Sequence, residues 1–249
     1  MEFRILGNLE VVSSGRTIEL NGNKLRAFTA GVLIHACKPV THHRLSLYIW
    51  DEPPSSASAN LRTYATALRR KLAAAESGAD RWLKTTSGTY QFQFDPNMMD
   101  AAIFNSLVRE SEQDFEDGNV AGGIDKLDRA LELWRGRPMQ NVQGSWLLSA
   151  EVACLEEQYL AAAERRADLF FASRSYSDSV RYLRRLVSEF PLNERLWGRL
   201  MKVLNHSGRR ADALAAYHYA REQITYVTGM EPGAELKGIH GAILKGDPI

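Results

Sequence analysis

The sequence predicts two domains, an N-terminal α+β domain over residues 1–96 and a C-terminal all-α domain over residues 97–249. Short β-branched segments alternate with helical segments in the first part, whereas only amphipathic helical segments follow. The charge changes sign at the same place: residues 1–96 hold 12 Lys and Arg against 8 Asp and Glu, and residues 97–249 hold 19 against 22. The turn sequence Asp95-Pro96-Asn97 marks the boundary. This division of charge indicates that the first domain binds a polyanion and the second does not.

The first domain begins with β-structure. The runs Phe3–Val12 and Thr17–Leu20 are rich in β-branched and apolar residues, and Ser13-Ser14-Gly15 between them favours a turn. We therefore expect a small hairpin or meander at the N-terminus.

Two helices are predicted next. The first runs from Lys24 to about Ala36, where apolar residues recur every three or four positions, and Pro39 ends it. The second covers about Arg44 to Trp50. Residues 51–56 then form a turn, because their two prolines cannot continue a helix and their serines are suited to cap the next one.

The third helix, from about Ser56 to Ala75, is the most informative segment. Its apolar residues fall on one stripe, and Arg62, Thr66, Arg69 and Arg70 cluster opposite or beside that stripe. Four cations and no acid occur between Ala57 and Ala75. A solvated helix face usually mixes charges of both signs, so this face favours contact with nucleic acid.

A hairpin follows the basic helix. Two alternating strands, Trp82–Thr86 and Thr89–Phe94, flank the turn residues Ser87-Gly88. A strand pair directly after a basic helix is the element order of a winged helix-turn-helix domain. In such domains the helix enters the DNA major groove and the hairpin tip contacts neighbouring phosphates.

The second domain is predicted to consist of helices alone. Helices are expected over about 100–116, 121–134 and 145–173, followed by two helix pairs. Those pairs repeat with a period of 34, since Asp178 aligns with Asp212 and Leu183 with Tyr217. This is the period of tetratricopeptide repeats, in which each helix pair buries its apolar face on the next.

The sequence gives no indication of several classes of function. The sequence contains no phosphate-binding loop, nucleophile elbow, zinc-protease motif or Cys/His metal spacing, so we expect no enzyme activity, no cofactor and no metal. It has no apolar stretch long enough to span a membrane and no signal peptide, which predicts a cytoplasmic, nucleoid-associated protein without a membrane partner. Cys37 and Cys154 lie among apolar neighbours and are interpreted as core thiols.

The chain resembles the Streptomyces antibiotic regulatory protein family of transcriptional activators. The segments that carry the resemblance are spread in order along nearly the whole chain: 3–7, 50–54, 61–64, 68–72, 100–104, 130–138, 231–236 and 243–248. The resemblance implies an OmpR/PhoB-type winged helix followed by a bacterial transcriptional activation domain of tetratricopeptide-like helices. It also implies binding to direct repeats near the promoter −35 element, side-by-side homodimers on double-stranded DNA, recruitment of RNA polymerase holoenzyme, and control of an antibiotic or other secondary-metabolite gene cluster.

The predicted DNA contacts follow from the helix geometry and the residue types. The first turns of a recognition helix lie deepest in the groove, so Arg62, Thr63 and Thr66 are the predicted base readers. The predicted phosphate contacts lie at the start of the third helix, at its far end and on the hairpin: Ser55, Ser56, Ser58, Arg69, Arg70, Lys84, Thr85, Thr86 and Ser87. Helix capping explains the three serines equally well, and turn preference alone also accounts for the hairpin tip.

The loop before the third helix carries a separate hypothesis. In OmpR-type activators this loop faces the transcription machinery, so Asp51 and Glu52 are candidates for contact with σ region 4 or another polymerase subunit. Alternatively, they cap a helix. Two other functions stay open: a tetratricopeptide-type interaction adaptor whose basic helix binds an acidic protein or RNA, and a sensor that binds a small molecule on its concave helical surface.

Overall fold

The computed structural model describes residues 1–248, which divide into two compact units. The first unit is Met1–Ala162 and the second starts at Ala163. All strands of the described residues lie before residue 93, and helices make up the regular structure after residue 100. The predicted order, an α+β part followed by an all-α part, is therefore confirmed. The position of the domain boundary at residues 96 and 97 stays a prediction.

The N-terminal sheet is a three-stranded antiparallel meander. It consists of β1 (Glu2–Arg4), β2 (Glu10–Ser13) and β3 (Arg16–Thr17), in that order. The meander was expected, but the long strand predicted from Phe3 to Val12 is interrupted. Ile5 and Leu6 leave the sheet because their amides donate to the Asp100 carboxylate, and Gly7 adopts a φ of 136° that a side chain would disfavour.

Three helices form the body of the first part: α1 (Asn23–Ile34), α2 (His42–Ile49) and α3 (Ala57–Ala75). Each lies within two residues of its predicted bounds. α1 packs against both α2 and α3, and its buried residues include Leu25, Phe28 and Leu33. Gly31 allows the close approach of α2, because a Cβ atom at this position would lie 2.6 Å from Leu45 Cδ1.

A second sheet carries the predicted hairpin. Its strands are β4 (Pro39–Thr41), β5 (Leu83–Thr86) and β6 (Thr89–Phe92), in the antiparallel order β4-β6-β5. The alternation is confirmed, since Tyr90, Phe92 and Phe94 are all buried. β4 was not predicted. It is a three-residue strand led by a proline, and it exists because Val40 pairs with Tyr90 of β6.

Helices occupy the remainder of the first unit. α4 (Asp100–Glu116) and α5 (Val120–Glu132) pack as a pair, and residues 133–145, here called the connecting segment, lead to α6 (Trp146–Ala172). Trp134 in the connecting segment stacks on Tyr159 of α6 with ring centroids 4.6 Å apart. The boundary between the two compact units falls within α6.

The second unit contains the end of α6 together with α7 (Tyr176–Glu189), α8 (Glu194–His206), α9 (Arg210–Thr228) and α10 (Ala234–Lys245). The period of 34 appears in its geometry. Asp178 and Asp212 both lie in the first turn of their helices, α7 and α9. The residues just before these helices include Arg174 and Gly208, which both have left-handed backbone conformations, with φ values of 57° and 76°.

The two cysteines are free thiols, and they differ from the prediction. Cys37 is half-buried, whereas Cys154 is exposed on α6, so its interpretation as a core thiol is wrong. Of its neighbours on α6, Val152 is buried but Ala153 is exposed, so Cys154 lies on the exposed side of the helix. No helix within residues 1–248 is long and apolar enough to cross a membrane.

Candidate nucleic-acid interface

Helix α3 is held by its apolar side. Leu61, Ala65, Leu68 and Leu72 are buried along one stripe, as the spacing predicts. Tyr64, next to that stripe, contacts the Phe28 ring of α1 at a centroid distance of 6.2 Å, and burial raises the pKa of its hydroxyl. These contacts fix which face of α3 points outward.

The outward face brings together the three predicted base readers. Arg62, Thr63 and Thr66 are exposed and, with Ala67 and Arg70, line one shallow depression on the surface. The Thr63 hydroxyl donates to the Ala59 carbonyl at 3.1 Å, and the Thr66 hydroxyl donates to the Arg62 carbonyl at 2.9 Å. Because their protons are used within the helix, the two threonines offer methyl groups and acceptor lone pairs to a ligand.

Arg69 connects α3 to the hairpin. Its Nε donates to the Leu83 carbonyl at 2.9 Å and its Nη2 donates to Thr85 Oγ1 at 2.5 Å, so part of its hydrogen-bonding capacity is used inside the protein. Burial raises the pKa of the Tyr90 hydroxyl on β6, and the charges of Arg69 and Arg62 oppose that shift. Arg69 therefore joins the outward face of α3 to the hairpin.

The hairpin tip is presented to solvent. Lys84, Thr85, Thr86 and Ser87 are exposed, and Lys84 Nζ donates to Gln93 Oε1 at 2.9 Å. Gly88 completes the turn with a φ of 76°, and its carbonyl accepts a hydrogen bond from the His42 amide at 2.9 Å. This bond ties the tip to the start of α2. The hairpin residues that are predicted to contact phosphate are therefore connected to α2 by this bond and to α3 by Arg69.

The start of α3 differs from the prediction in one respect. Ser56 occupies the N-cap position, but its side chain accepts no hydrogen bond from the helix amides. The expectation that a serine side chain caps this helix is wrong, because the Ser56 backbone does not adopt the extended conformation that aims a cap at them (φ −81°, ψ 1°). Its hydroxyl instead accepts from Asn60 Nδ2 at 3.3 Å. Ser55, Ser56 and Ser58 are exposed, and their contact with phosphate stays a prediction.

The two acidic residues of the loop before α3 have different surroundings. Asp51 Oδ1 accepts a hydrogen bond at 2.8 Å from the amide of Trp146, the first residue of α6. Asp51 thus caps a helix, which is the alternative that the sequence left open, but the helix is 95 residues further along the chain. Glu52 is exposed, and among residues 1–248 no hydrogen bond or ion pair includes its side chain.

The connecting segment is fastened to the N-terminal part by long-range contacts that sequence reasoning missed. The Arg135 amide donates to the Leu6 carbonyl at 2.8 Å, and Arg135 Nη2 donates to Asp100 Oδ2 at 2.7 Å. Asn141 exchanges two hydrogen bonds with the backbone of Leu9, at 2.7 and 3.2 Å. No local pattern marks these residues, because each partner lies 35 to 132 positions away.

A buried tyrosine makes a further tie between α2 and α6. The Tyr48 hydroxyl donates to Glu151 Oε1 at 2.8 Å and accepts from Arg44 Nε at 3.1 Å. Burial, followed by the hydrogen bond to Glu151, raises the pKa of Tyr48 to about 12. Burial also lowers the pKa of His35, whose Nε2 lies 2.9 Å from the same hydroxyl. Helix α2 and the start of α6 therefore share a hydrogen-bonded network.

Comparison with known proteins identifies the family. Residues 99–244 match the model of the bacterial transcriptional activator domain. Regulatory protein DnrI of Streptomyces peucetius is 30% identical over 254 residues, which cover 100% of this chain and 93% of DnrI. The chain belongs to the Streptomyces antibiotic regulatory protein family of transcriptional activators.

Other members of the comparison are longer than this chain. Regulatory protein AfsR of Streptomyces coelicolor is 32% identical over 250 residues, which cover 100% of this chain and 24% of AfsR. The solved structure of Mycobacterium tuberculosis EmbR in complex with a low affinity phosphopeptide is similar with a TM-score of 0.83 and 26% identity, covering 100% of this chain and 66% of that one. The C-terminal helices thus have the tetratricopeptide-like fold of the bacterial transcriptional activator domain.

Proposed function

We propose that this family member is a sequence-specific DNA-binding activator that binds direct repeats near the promoter −35 element and recruits RNA polymerase holoenzyme. In this proposal residues 1–96 are an OmpR/PhoB-type winged helix and residues 97–249 are the activation domain. The observation that carries the proposal is the outward face of α3, which holds Arg62, Thr63, Thr66 and Arg70 without an acid and is continuous with the hairpin through Arg69. Its expected target is the promoter of a secondary-metabolite gene cluster.

The division of labour on this face follows from the geometry. Arg62, Thr63 and Thr66 lie in the first half of α3 and read base edges, whereas Arg70 lies about one turn beyond Thr66 and binds a phosphate. Arg69 orients the hairpin and has its remaining guanidinium nitrogen for a phosphate. Lys84, Thr85, Thr86 and Ser87 contact the backbone on one side of the recognition helix, and Ser55, Ser56 and Ser58 contact it on the other.

A binding titration tests the DNA-reading half. The full chain is titrated in gel-shift experiments against fragments bearing direct repeats, with random DNA as competitor and with salt varied. We expect specific binding that weakens steeply with salt, two protomers on two repeats and one on a single repeat. Binding without sequence preference would contradict the proposal. Absence of binding at low salt would favour the alternative of an interaction adaptor.

A phosphate contact and a base contact give different signatures. Replacing Arg70 with alanine should weaken binding to specific and random DNA alike and lower the slope of log K against log salt by about 0.9. Replacing the exposed Arg16 on β3, which removes the same charge from the same domain, should leave the slope at its original value apart from screened long-range effects. An equal change in both variants would contradict the assignment of Arg70.

Polymerase contact is best tested at Glu52. Because the Asp51 carboxylate is used by the Trp146 amide, Glu52 is the freer of the two acidic candidates for a basic surface on σ region 4. The Glu52→Ala variant should bind DNA like the original chain but activate transcription in vitro less well. The matched variant Glu19→Ala, which removes an exposed acid elsewhere in the first domain, should retain activation. Full activation by Glu52→Ala would refute this contact.

A further inference from the structure

The second unit contains a crevice of about 440 Å³. It lies among α6, α8 and α10, which are alternate helices of the repeat, and α7 contributes Leu183. Its apolar lining comes from four different helices: Ala167, Phe171, Leu183, Val203, Leu236 and Ile239. Gly198 allows α10 to close one side, because a Cβ atom at this position would lie 2.9 Å from Ile239 Cδ1. The volume falls in the range of small-molecule sites, which is about 300–1,000 Å³.

Basic side chains form the polar rim. Arg195, Arg199, Lys202 and His206 all line the crevice and lie at spacings of four, three and four residues on α8, so they share one face of the helix. The surrounding stretch is strongly basic, since residues 165–210 hold 11 Lys and Arg against 4 Asp and Glu. Residues 97–249 as a whole hold 19 Lys and Arg against 22 Asp and Glu, so this basic region lies within a part of the chain that is mildly acidic overall.

Most acidic side chains of the crevice already have an ion-pair or hydrogen-bond partner within the protein. Arg199 is held by Glu164 at 3.1 Å and by Asp168 at 3.0 Å. Burial lowers the pKa of Arg199, but the hydrogen bond to Asp168 and the neighbouring acids outweigh this and raise it. Glu194 Oε2 accepts a hydrogen bond from the Gly233 amide at 2.7 Å. Glu235 is the remaining acid of the lining, and it faces Arg199.

Two cations are left over after this pairing. Among residues 1–248, no acid lies within ion-pair distance of Arg195 or Lys202. His206 Nδ1 lies 2.9 Å from the Lys202 carbonyl, so its Nε2 is available to a ligand. The crevice thus combines an apolar floor with a rim in which three acids match three Lys and Arg in number, but in which Arg195 and Lys202 have no ion-pair partner in the described part of the chain.

We propose that this crevice binds a small organic anion with an apolar body, whose anionic group pairs with Lys202. The apolar body lies on Phe171, Val203 and Ile239, and the anion supplies the ion-pair partner that Lys202 lacks within residues 1–248. Such a site differs from the DNA interface in unit, ligand and chemistry. It does not depend on the proposed DNA-binding function, because binding alone is its readout.

Two isosteric probes test the proposal on the full chain. Naphthalene-2-sulfonate supplies an anion on a flat apolar body, and naphthalene-2-sulfonamide has nearly the same shape without the charge. In titration calorimetry we expect the sulfonate to bind with one site per chain. The sulfonamide should bind at least about tenfold more weakly, because it lacks the charge-assisted contact, and the loss of about 1.4 kcal/mol is a factor of ten in affinity. Equal binding of the two probes, or no binding of the sulfonate, would overturn the proposal.

Matched variants locate the site. Lys202→Gln should weaken sulfonate binding about tenfold and leave sulfonamide binding unchanged. Arg184→Gln removes the same charge from a position on α7 outside the crevice, and it should retain the original affinity. Circular dichroism of both variants checks that the helices are intact. A loss in Lys202→Gln no larger than that in Arg184→Gln would overturn the assignment of the crevice, whatever the outcome of the DNA titration.

Discussion

Replacing Asp100 with asparagine tests how firmly the connecting segment is fastened to the N-terminal part. The Asp100 carboxylate is 5% exposed and accepts hydrogen bonds from the amides of Ile5, Leu6 and Ala101 and from Arg135 Nη2. An asparagine side chain turns one of the two acceptor oxygens into a donor. At least one buried amide then faces a donor, and Arg135 loses its ionic partner. We expect a loss of about 3 kcal/mol in the free energy of unfolding, from one unsatisfied buried donor and one lost charged hydrogen bond.

The assay is urea unfolding followed by tryptophan fluorescence, because four of the five tryptophans lie in the first unit. Asp117→Asn is the matched control, since Asp117 is exposed just after the same helix, α4, and the substitution removes the same charge. It should change the free energy of unfolding by less than about 0.5 kcal/mol. If Asp100→Asn costs no more than this control, the reasoning about the buried carboxylate is refuted.

A double-mutant cycle separates the ion pair from the amide contacts. Arg135→Gln alone leaves the Asp100 carboxylate with its three amide donors, so it should cost less than Asp100→Asn. Because the two side chains are in direct contact at 2.7 Å, the combined variant should differ from the sum of the single variants by at least about 0.5 kcal/mol. Additive effects would show that the pair contributes nothing of its own.

Further outcomes are expected for packing and for pH. Gly31→Ala should lower the free energy of unfolding by about 1–3 kcal/mol, because the new methyl group meets Leu45. Gly238→Ala on α10 should raise it by about 0.5–1 kcal/mol, because a methyl group there meets nothing within 4 Å. Equal effects of the two variants in urea unfolding would contradict the packing account. The raised pKa of Tyr48, about 12, means that the folded state holds this proton more tightly than the unfolded chain does. The resulting stability, up to about 2.7 kcal/mol, is complete below about pH 10 and is lost as the pH rises to about 12. The stability difference between the original chain and Tyr48→Phe should therefore shrink over that range, and a constant difference would contradict it.

Local patterns predict most of the elements of this fold. The helical spacing of apolar residues locates α1, α2 and α3 to within two residues, and strict alternation identifies the hairpin of β5 and β6. These signals are strong because one face of each element is buried and the other is solvated. The period of 34 likewise appears in the structure as paired left-handed turns at Arg174 and Gly208.

Contacts between residues that are far apart in the sequence could not be predicted. β4 forms because Val40 pairs with Tyr90 of β6. The strand predicted from Phe3 to Val12 is interrupted because two of its amides donate hydrogen bonds to the Asp100 carboxylate. Asp51 is similar, since its helix-capping role depends on Trp146. In each case the residue types are compatible with several roles, and the tertiary fold selects one.

The candidate site was predictable in part. The absence of acids on α3 and the helical angle between its residues are enough to place Arg62, Thr63 and Thr66 on one face. The position of Arg69 was not predictable at this level, because its hydrogen bonds to Leu83 and Thr85 depend on how the hairpin folds back on α3. A basic residue on the outer face of a helix can serve the protein as well as a ligand.

The most direct test of the central claim, that the outward face of α3 reads DNA sequence, is the specificity ratio of the Arg62→Ala variant. This ratio compares affinity for direct-repeat DNA with affinity for scrambled DNA at one fixed salt concentration, and Arg16→Ala is measured alongside. We expect Arg62→Ala to lose about 1–3 kcal/mol on the direct repeats and to discriminate less between the two fragments, while Arg16→Ala keeps the original ratio. An unchanged ratio in Arg62→Ala would contradict the account.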